Sequence, residues 1–239
     1  MRRYPVWSYF AATAAMLCVL IVLFLTAFRL TVFDRGFIDQ EMRKFHVAES
    51  VGMSQDGLMD LYDEVLKYLE GKRSDLELTV ERNGQRVEAF HEREILHMVD
   101  VEALFRAGFK LLYAACGIGT ALILLLCLWK HNGRRIWKVL LRGFLAASGI
   151  FFIAVAVVAL AIAIDFDHTF ILFHQIFFTN DLWQLDYRTD LLMNIVPETF
   201  SYDVAIRTIL YFTAVFIPLL VAGAVGFWRD RVRIRAEKA

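Results

Sequence analysis

Four long apolar runs constrain this chain more than any other feature of its sequence. They cover about residues 7–28, 109–129, 143–164 and 206–228. A helix needs roughly 20 mostly apolar residues to cross a bilayer, so each run is long enough to span one. The 58% share of hydrophobic residues points to the same class of protein. The sequence therefore predicts an α-helical polytopic membrane protein with four transmembrane helices.

Basic residues predict how the four helices are oriented. Residues 130–142 contain five Lys or Arg residues and no acid, and further basic residues stand at both chain ends. Residues 29–108 contain 11 basic and 17 acidic residues, and residues 165–205 contain 1 basic and 7 acidic residues. Because Lys and Arg are enriched in cytoplasmic loops, we expect both termini inside the cell and the two acidic segments outside it.

These two observations divide the chain into seven predicted parts. They are the N-terminus with the first transmembrane helix (1–28), an extracellular cap (29–108), the second transmembrane helix (109–129), a cytoplasmic loop (130–142), the third transmembrane helix (143–164), an extracellular aromatic-rich segment (165–205), and the fourth transmembrane helix with a cytoplasmic tail (206–239).

The predicted cap has the sequence signals of a small α+β unit. Apolar residues between Leu58 and Leu69 recur at helical spacing, and we expect Asp56 to cap that helix and Gly71 to end it. Asn83-Gly84 separates two β-prone runs, which is a hairpin signal. A further helix is expected from Glu92 towards the second transmembrane helix.

The aromatic-rich segment combines apolar and reactive residue types. Phe166, Phe170, Phe173 and Phe177 form one stripe if the segment is helical, and His174 neighbours that stripe. A site for a lipid-like substrate needs such apolar walls together with a few polar groups that orient and react. The same side chains are also consistent with an interfacial aromatic belt or a packed core.

Of the six histidines, His97 and His174 are the best placed for catalysis. Each stands about three helical turns from a predicted membrane span, and histidine titrates near working pH. Asp100, three residues after His97, could fix its tautomer. His91 and His97 are six residues apart, which is the wrong spacing for two metal ligands on one helix face. The spacing is equally consistent with two structural histidines.

Several other classes of protein are disfavoured. The net charge of zero gives no reason to expect nucleic-acid binding. The segments predicted to lie outside contain no GxSxG or SxxK motif and no cysteine, so no covalent nucleophile is expected. Span interiors without ionisable residues, in a chain without an inverted repeat, argue against a transporter. A non-catalytic lipid-binding scaffold or accessory subunit remains as an alternative, and it would not require His97 and His174 to be close.

Two segments resemble a known family. REILHMVDV (93–101) and FHQIFFTNDLWQLDYRTDLLMNIVPETF (173–200) together resemble the bacterial four-span family of lipoprotein intramolecular transacylases. The likeness extends to the layout of four spans and a long first outer loop. One departure is Tyr187, because a proline commonly follows the Leu-Asp pair in that family.

The resemblance implies an acyl shift within one substrate molecule. The sn-2 acyl chain of a diacylglyceryl-modified lipoprotein cysteine would move to the α-amino group of that cysteine, giving a lyso-form lipoprotein. His97 and His174 match the catalytic histidines of the family. An ester-to-amide transfer is downhill, so neither a cofactor nor a metal is expected. The partners implied are diacylglyceryl lipoproteins and membrane lipid.

The remaining candidates would hold the substrate at a site at the extracellular interface of the bacterial cell membrane. We expect the aromatic residues to hold lipid chains, and Asn180, Trp183 and Arg188 are possible donors to a developing oxyanion. The full predicted substrate-binding set is Phe170, Phe173, Phe177, Phe178, Asn180, Asp181, Trp183, Tyr187 and Arg188. Sequence leaves open which histidine is the base, and also the oligomeric state.

Overall fold

A computed structural model describes residues 4–128 and 133–236 as nine helices and one two-stranded sheet. The elements in chain order are α1 (Val6–Val32), α2 (Arg35–Lys44), α3 (Val47–Ser50), α4 (Gln55–Leu69), β1 (Thr79–Arg82), β2 (Gln85–Glu88), α5 (Glu92–Leu128), α6 (Gly133–Ile164), α7 (Phe166–Phe177), α8 (Leu191–Ile195) and α9 (Glu198–Ala236). Arg2, Arg3, Lys130 and Lys238, which supported the predicted orientation, lie outside the described residues, as does His131.

The predicted four-helix membrane architecture is confirmed. Four stretches are long and apolar enough to cross a bilayer: Val6–Val32, Glu92–Leu128, Ile136–Ile164 and Thr199–Gly226. The helix expected from Glu92 is continuous with the second span. Helix α6 begins at Gly133, so most of the segment predicted as a cytoplasmic loop is helical.

The chain divides into two compact units, and the first contains residues 1–27, 111–164 and 208–239. Aromatic rings from α1, α6 and α9 pack together in its core. The ring of Phe151 on α6 stacks on that of Phe212 on α9, with centroids 5.3 Å apart. Gly143 on α6 allows a close approach to α1, because a Cβ there would lie 2.6 Å from the backbone of Ala12. The first unit is thus a helix bundle held by ring packing and by close helix contacts such as that between α1 and α6.

The second unit contains residues 28–110 and 165–207, and it has the predicted α+β composition. Its core is formed by apolar side chains of α2, α3, α4, the hairpin, the start of α5 and α8. Polar contacts join its two chain segments. The Tyr62 hydroxyl donates to the Ile195 carbonyl oxygen, and the Arg207 guanidinium pairs with Asp34. The later segment is therefore an integral part of this unit.

The hairpin forms as the sequence predicts. Strands β1 and β2 are antiparallel, and Arg82 pairs with Gln85 across the two-residue turn. Asn83 and Gly84 have positive φ angles of 53° and 75°, the backbone of a type I′ turn that suits Asn-Gly. The Asn83 amide donates to the Gly52 carbonyl at 2.7 Å, which ties the turn to the loop before α4.

The predicted N-cap of α4 is wrong by two residues. Ser54 is the cap, and its hydroxyl accepts a hydrogen bond from the Gly57 amide at 3.1 Å. Asp56 instead lies in the first helical turn, where a carboxylate interacts favourably with the helix dipole. Gly71 follows the helix end with a φ of 72°, which agrees with the predicted stop.

Candidate active site

The second unit brings His97 and His174 together. His97 lies on α5 and His174 on α7, and their ring centroids are 6.2 Å apart with the planes tilted by 35°. Both side chains are buried, with 8% of each residue exposed. The separation is well inside the roughly 10 Å beyond which two groups no longer share one proton-transfer site. A non-catalytic lipid-binding scaffold, the alternative function considered from the sequence, would not require the two histidines to be this close.

His174 is held by its own helix. Its Nδ1 lies 2.7 Å from the carbonyl oxygen of Phe170, one turn earlier in α7. Since a carbonyl oxygen only accepts hydrogen bonds, Nδ1 must carry the hydrogen. Neutral His174 therefore keeps its lone pair on Nε2, and that atom is the basic one.

Aromatic rings surround His174. The rings of Phe170, Trp183, Phe173 and Phe178 have centroids 4.1, 4.8, 5.3 and 5.5 Å from that of the imidazole. Burial lowers the pKa of His174 below its ordinary value of 6.5, although the hydrogen bond to the Phe170 carbonyl opposes this shift. His174 is consequently neutral, and able to accept a proton, at neutral pH.

His97 has a different environment. Its Nδ1 is buried and has no hydrogen-bond partner. The ring packs edge-on against Phe178 with centroids 5.4 Å apart. An imidazolium would need a hydrogen on Nδ1, and an unpaired buried donor costs about 1–3 kcal/mol. The surroundings therefore favour neutral His97 with its hydrogen on Nε2.

Asp100 makes no described hydrogen bond to His97, and the orienting role expected of it from sequence stays a prediction. Its Oδ2 accepts a hydrogen bond from the side-chain amide of Asn180 at 2.7 Å. The Asn180 Oδ1 accepts from the Leu182 amide at 3.1 Å, and the Trp183 Nε1 donates to the Asn180 carbonyl at 2.9 Å. Asn180 and Trp183, expected as oxyanion donors, thus already donate within the protein.

The other predicted substrate-binding residues have described partners other than the two histidines. Phe177 packs on Phe173 with centroids 4.8 Å apart. Asp181 is exposed and pairs with Arg93 on α5. The Tyr187 ring lies beneath the Arg188 guanidinium, 5.6 Å from centroid to carbon, and neither residue has a described contact with a histidine.

Sequence reasoning missed Glu94, which orders the neighbourhood of the site. It is fully buried, and its two carboxylate oxygens accept hydrogen bonds from the backbone amides of His91 and Leu192, both at 2.7 Å. Glu94 thereby links the start of α5 to the start of α8. Glu94 occupies the position of the glutamate in a capping box, but His91 stands where that motif has Ser or Thr, so the sequence carried only half of the signal.

A second polar cluster lies beside Glu94. Ligand atoms of His91, Glu94 and Asp190 come within 4.8 Å of one another, a separation that suits a metal ion. However, Asp190 also uses both oxygens, accepting from the Asp186 amide and the Thr189 hydroxyl. Each of the four carboxylate oxygens accepts a hydrogen bond from the protein, and His91 Nδ1 lies 3.5 Å from an oxygen of each acid, so contacts within the protein account for the cluster. His91 belongs to this cluster, whereas the His97 ring packs near that of His174.

A family model for lipoprotein intramolecular transacylases matches residues 13–201. The chain belongs to this family. The resemblance predicted from the two sequence segments is therefore confirmed, and the matched region includes every residue assigned to the site. No curated protein matches the chain.

Solved structures of the same family share the fold of this transacylase-family chain. The lipoprotein intramolecular transacylase of Bacillus cereus matches with 20% identity and a TM-score of 0.66, covering 97% of this chain and 98% of the other. Two variants of that protein carry a histidine replaced by arginine or by alanine. They match with 20% and 21% identity and TM-scores of 0.73 and 0.74, each covering 95% of this chain, and 95% and 96% of their own.

Proposed function

We propose that the protein moves the sn-2 acyl chain of a diacylglyceryl-modified lipoprotein cysteine to the α-amino group of that cysteine. Family membership supports the class of reaction. The observation that carries the mechanism is the proximity of two buried, neutral histidines, 6.2 Å apart between ring centroids. Both reacting groups belong to one substrate, so a site that folds the lipid back on itself supplies much of the acceleration. Such intramolecular positioning is worth up to about 7–11 kcal/mol.

The two histidines have different roles in the proposed mechanism. The neutral amine attacks the ester carbonyl carbon, and Nε2 of His174 takes a proton from the amine as the C–N bond forms. Nε2–H of His97 donates a hydrogen bond to the oxyanion, as a neutral imidazole can. The C–O bond to the glyceryl oxygen then breaks, and His174 returns the proton to that oxygen. Atoms and charge balance without a cofactor.

The hydrogen bond from His174 to Phe170 supports this assignment. It remains satisfied when the ring gains a proton, and the surrounding aromatic faces stabilise a cation. By contrast, Nδ1 of His97 would become an unpaired buried donor in the imidazolium. The proton taken from the amine is therefore better held by His174 than by His97.

The reaction is tested by mass spectrometry. Purified protein in detergent is given a diacylglyceryl lipoprotein with a free N-terminal cysteine, without phospholipid or nucleotide. The mass of the N-terminal peptide should stay constant while fragmentation places one acyl group on nitrogen. A gain of one acyl chain would indicate transfer from another lipid, and a loss would indicate hydrolysis. Either result contradicts the proposed function.

A further inference from the structure

An open groove of about 630 Å³ runs along one side of α9, within the first unit. Two neighbouring rows of the helix line it, each with a residue at every fourth position. One row holds the compact residues Pro218, Ala222 and Gly226, which leave the space. The other row holds larger aliphatic side chains and ends at Arg229. The groove is therefore apolar along its length and has a cation at one end.

The charged end of the groove coincides with the end of a membrane span. The span on α9 ends at Gly226, so Arg229 stands just beyond the apolar stretch. Trp137 of α6 lies at the same end, because a Cβ on Gly226 would be 2.8 Å from the Trp137 Nε1. The span on α6 begins at Ile136, beside Trp137. The groove thus extends from the edge of the membrane into its apolar core.

This end of the groove offers two hydrogen-bond donors. The Arg229 guanidinium and the Trp137 indole N–H are both exposed, and neither has a partner within residues 4–128 and 133–236. A guanidinium fits the geometry of a phosphate, and an indole N–H commonly bonds at the level of lipid headgroups. Residues 229–236 contain four Arg and one Asp, so the local charge is positive. Such a surface attracts anionic lipids.

The length of the groove suits a single acyl chain. The helix rises about 18 Å between Ile217 and Arg229, at 1.5 Å per residue. One leaflet contributes about 15 Å, half of the roughly 30 Å apolar core of a bilayer. A lipid whose phosphate lies at Arg229 would therefore have its chain in the groove as far as the middle of the membrane.

A second copy of the chain fits the groove less well. In a two-fold dimer packed through this side of α9, with parallel helices, the same surface would face itself. The two Arg229 guanidinium groups would then meet at one end of the interface. Because like charges repel, this arrangement is disfavoured, whereas an anionic lipid is attracted by the same charge.

We propose that the groove binds a phospholipid of the surrounding bilayer. Its anionic headgroup contacts Arg229 and Trp137, and one acyl chain lies against Ala222 and Gly226. This lipid is a bound component of the helix bundle and is distinct from the lipoprotein substrate. Since basic segments are expected inside the cell, it belongs to the cytoplasmic leaflet.

Native mass spectrometry of the full chain in detergent tests the lipid site without needing catalytic turnover. Delipidated protein is titrated with phosphatidylglycerol or with phosphatidylcholine, which has no net charge, and the Kd of the first bound lipid is measured. The wild type should bind phosphatidylglycerol at least about fivefold more tightly. Arg229→Gln should lose this preference. Ala222→Phe, which fills the groove, should weaken phosphatidylglycerol binding at least about fivefold.

Ala224→Phe is the matched control, because it makes the same change at an exposed position of α9 outside the groove. It should bind phosphatidylglycerol like the wild type. Ala222→Ile replaces Ala222→Phe if that variant folds poorly. Equal affinity of the wild type for the two lipids, or unchanged binding in Ala222→Phe, would overturn the proposal. A dimer that Ala222→Phe but not Ala224→Phe dissociates would also overturn it, because a second copy would then cover the groove.

Discussion

The side-chain amide of Asn180 donates to Asp100 Oδ2 at 2.7 Å, which ties the loop after α7 to the helix that carries His97. The same residue accepts the indole N–H of Trp183, whose ring packs against His174. A connected series of contacts therefore links the two histidines. Asn180 and Asp100 act as positioning residues in this account, because neither contacts a reacting atom.

Exchanging these two side chains tests their positioning role. Asn180→Asp alone should slow transacylation at least about tenfold, because two carboxylates would face each other and a charge-assisted hydrogen bond worth about 1.5–3 kcal/mol is lost. The double variant Asp100→Asn/Asn180→Asp restores a donor opposite a carboxylate, so it should recover most of the rate. The hydrogen-exchange protection of the Trp183 indole N–H, followed by NMR, should fall and recover in parallel.

Gln184→Glu is the matched control for the exchange. It adds a negative charge to an exposed position in the same loop without facing Asp100, so its rate should remain near that of the wild type. A double variant as slow as Asn180→Asp, or full activity in Asn180→Asp, would contradict the positioning role.

Glutamine substitutions distinguish the two histidines. Glutamine retains a hydrogen-bond donor but takes up no proton at neutral pH. His97→Gln should therefore stay more active than His97→Ala, which loses about 10²–10³ in rate with the oxyanion donor. His174→Gln and His174→Ala should both lose about 10²–10⁴, because neither supplies a base. Rates are measured by the fragmentation assay.

His46→Ala serves as the control for this series, because that residue is exposed and pairs with Glu49 outside the site. Equal losses in His97→Gln and His97→Ala would remove the donor role assigned to His97. Activity in His174→Gln close to that of the wild type would remove the base.

The pH profile follows from the direction of the His174 shift. Burial lowers its pKa below 6.5, so His174 stays deprotonated until the pH falls under that value. The substrate amine, with a pKa of about 8, must also be neutral. Log(kcat/KM) should rise with a slope of one from about pH 6.5 to pH 8, and with a slope of two below the His174 pKa. A slope of one throughout would mean that His174 is not titrating as the base.

Glu94→Gln should destabilise the second unit by about 1–3 kcal/mol. The amide that replaces one carboxylate oxygen would be a donor facing a backbone N–H, so one buried donor would lose its acceptor. Thermal unfolding in detergent measures the loss, and limited proteolysis should show earlier cleavage near α8. Glu92→Gln, exposed in the same first turn, is the control and should leave both readouts unchanged.

Membrane orientation is tested by labelling introduced cysteines. An impermeant maleimide added to intact cells should label Gln85→Cys in the hairpin and should miss Arg134→Cys until the membrane is opened. The expectation comes from the basic residues around position 134 and the acidic segment around the hairpin. The opposite pattern would place the two histidines on the cytoplasmic side.

Sequence patterns predicted the parts of this protein that depend on local or bulk properties. Span length and hydropathy identified the four membrane helices, and Asn83-Gly84 identified the hairpin, because each of these signals lies within one continuous stretch of sequence. The stripe from Phe166 to Phe177 was conditional on a helix there, and α7 has the same two residues as its bounds.

The hydrogen-bond partners of the side chains within the site could not be predicted in the same way. Asp100 stands at the right spacing to contact His97 along a helix, yet Asn180, far away in sequence, takes its carboxylate. Glu94 likewise accepts a hydrogen bond from the backbone amide of Leu192, a residue far away in sequence. Such choices are decided by long-range packing, since several acceptors of equal chemistry compete for each donor.

The two-segment composition of the second unit has a consequence for biosynthesis. Residues 28–110 leave the ribosome first, but Tyr62 and Glu94 each have one hydrogen-bond partner in residues 165–207, namely Ile195 and Leu192. Between those segments the chain must insert two membrane helices. The earlier segment therefore cannot complete its fold until the third transmembrane helix has been inserted into the membrane. A chain truncated after α5 should be degraded, and co-expression of the missing half as a separate polypeptide should rescue it.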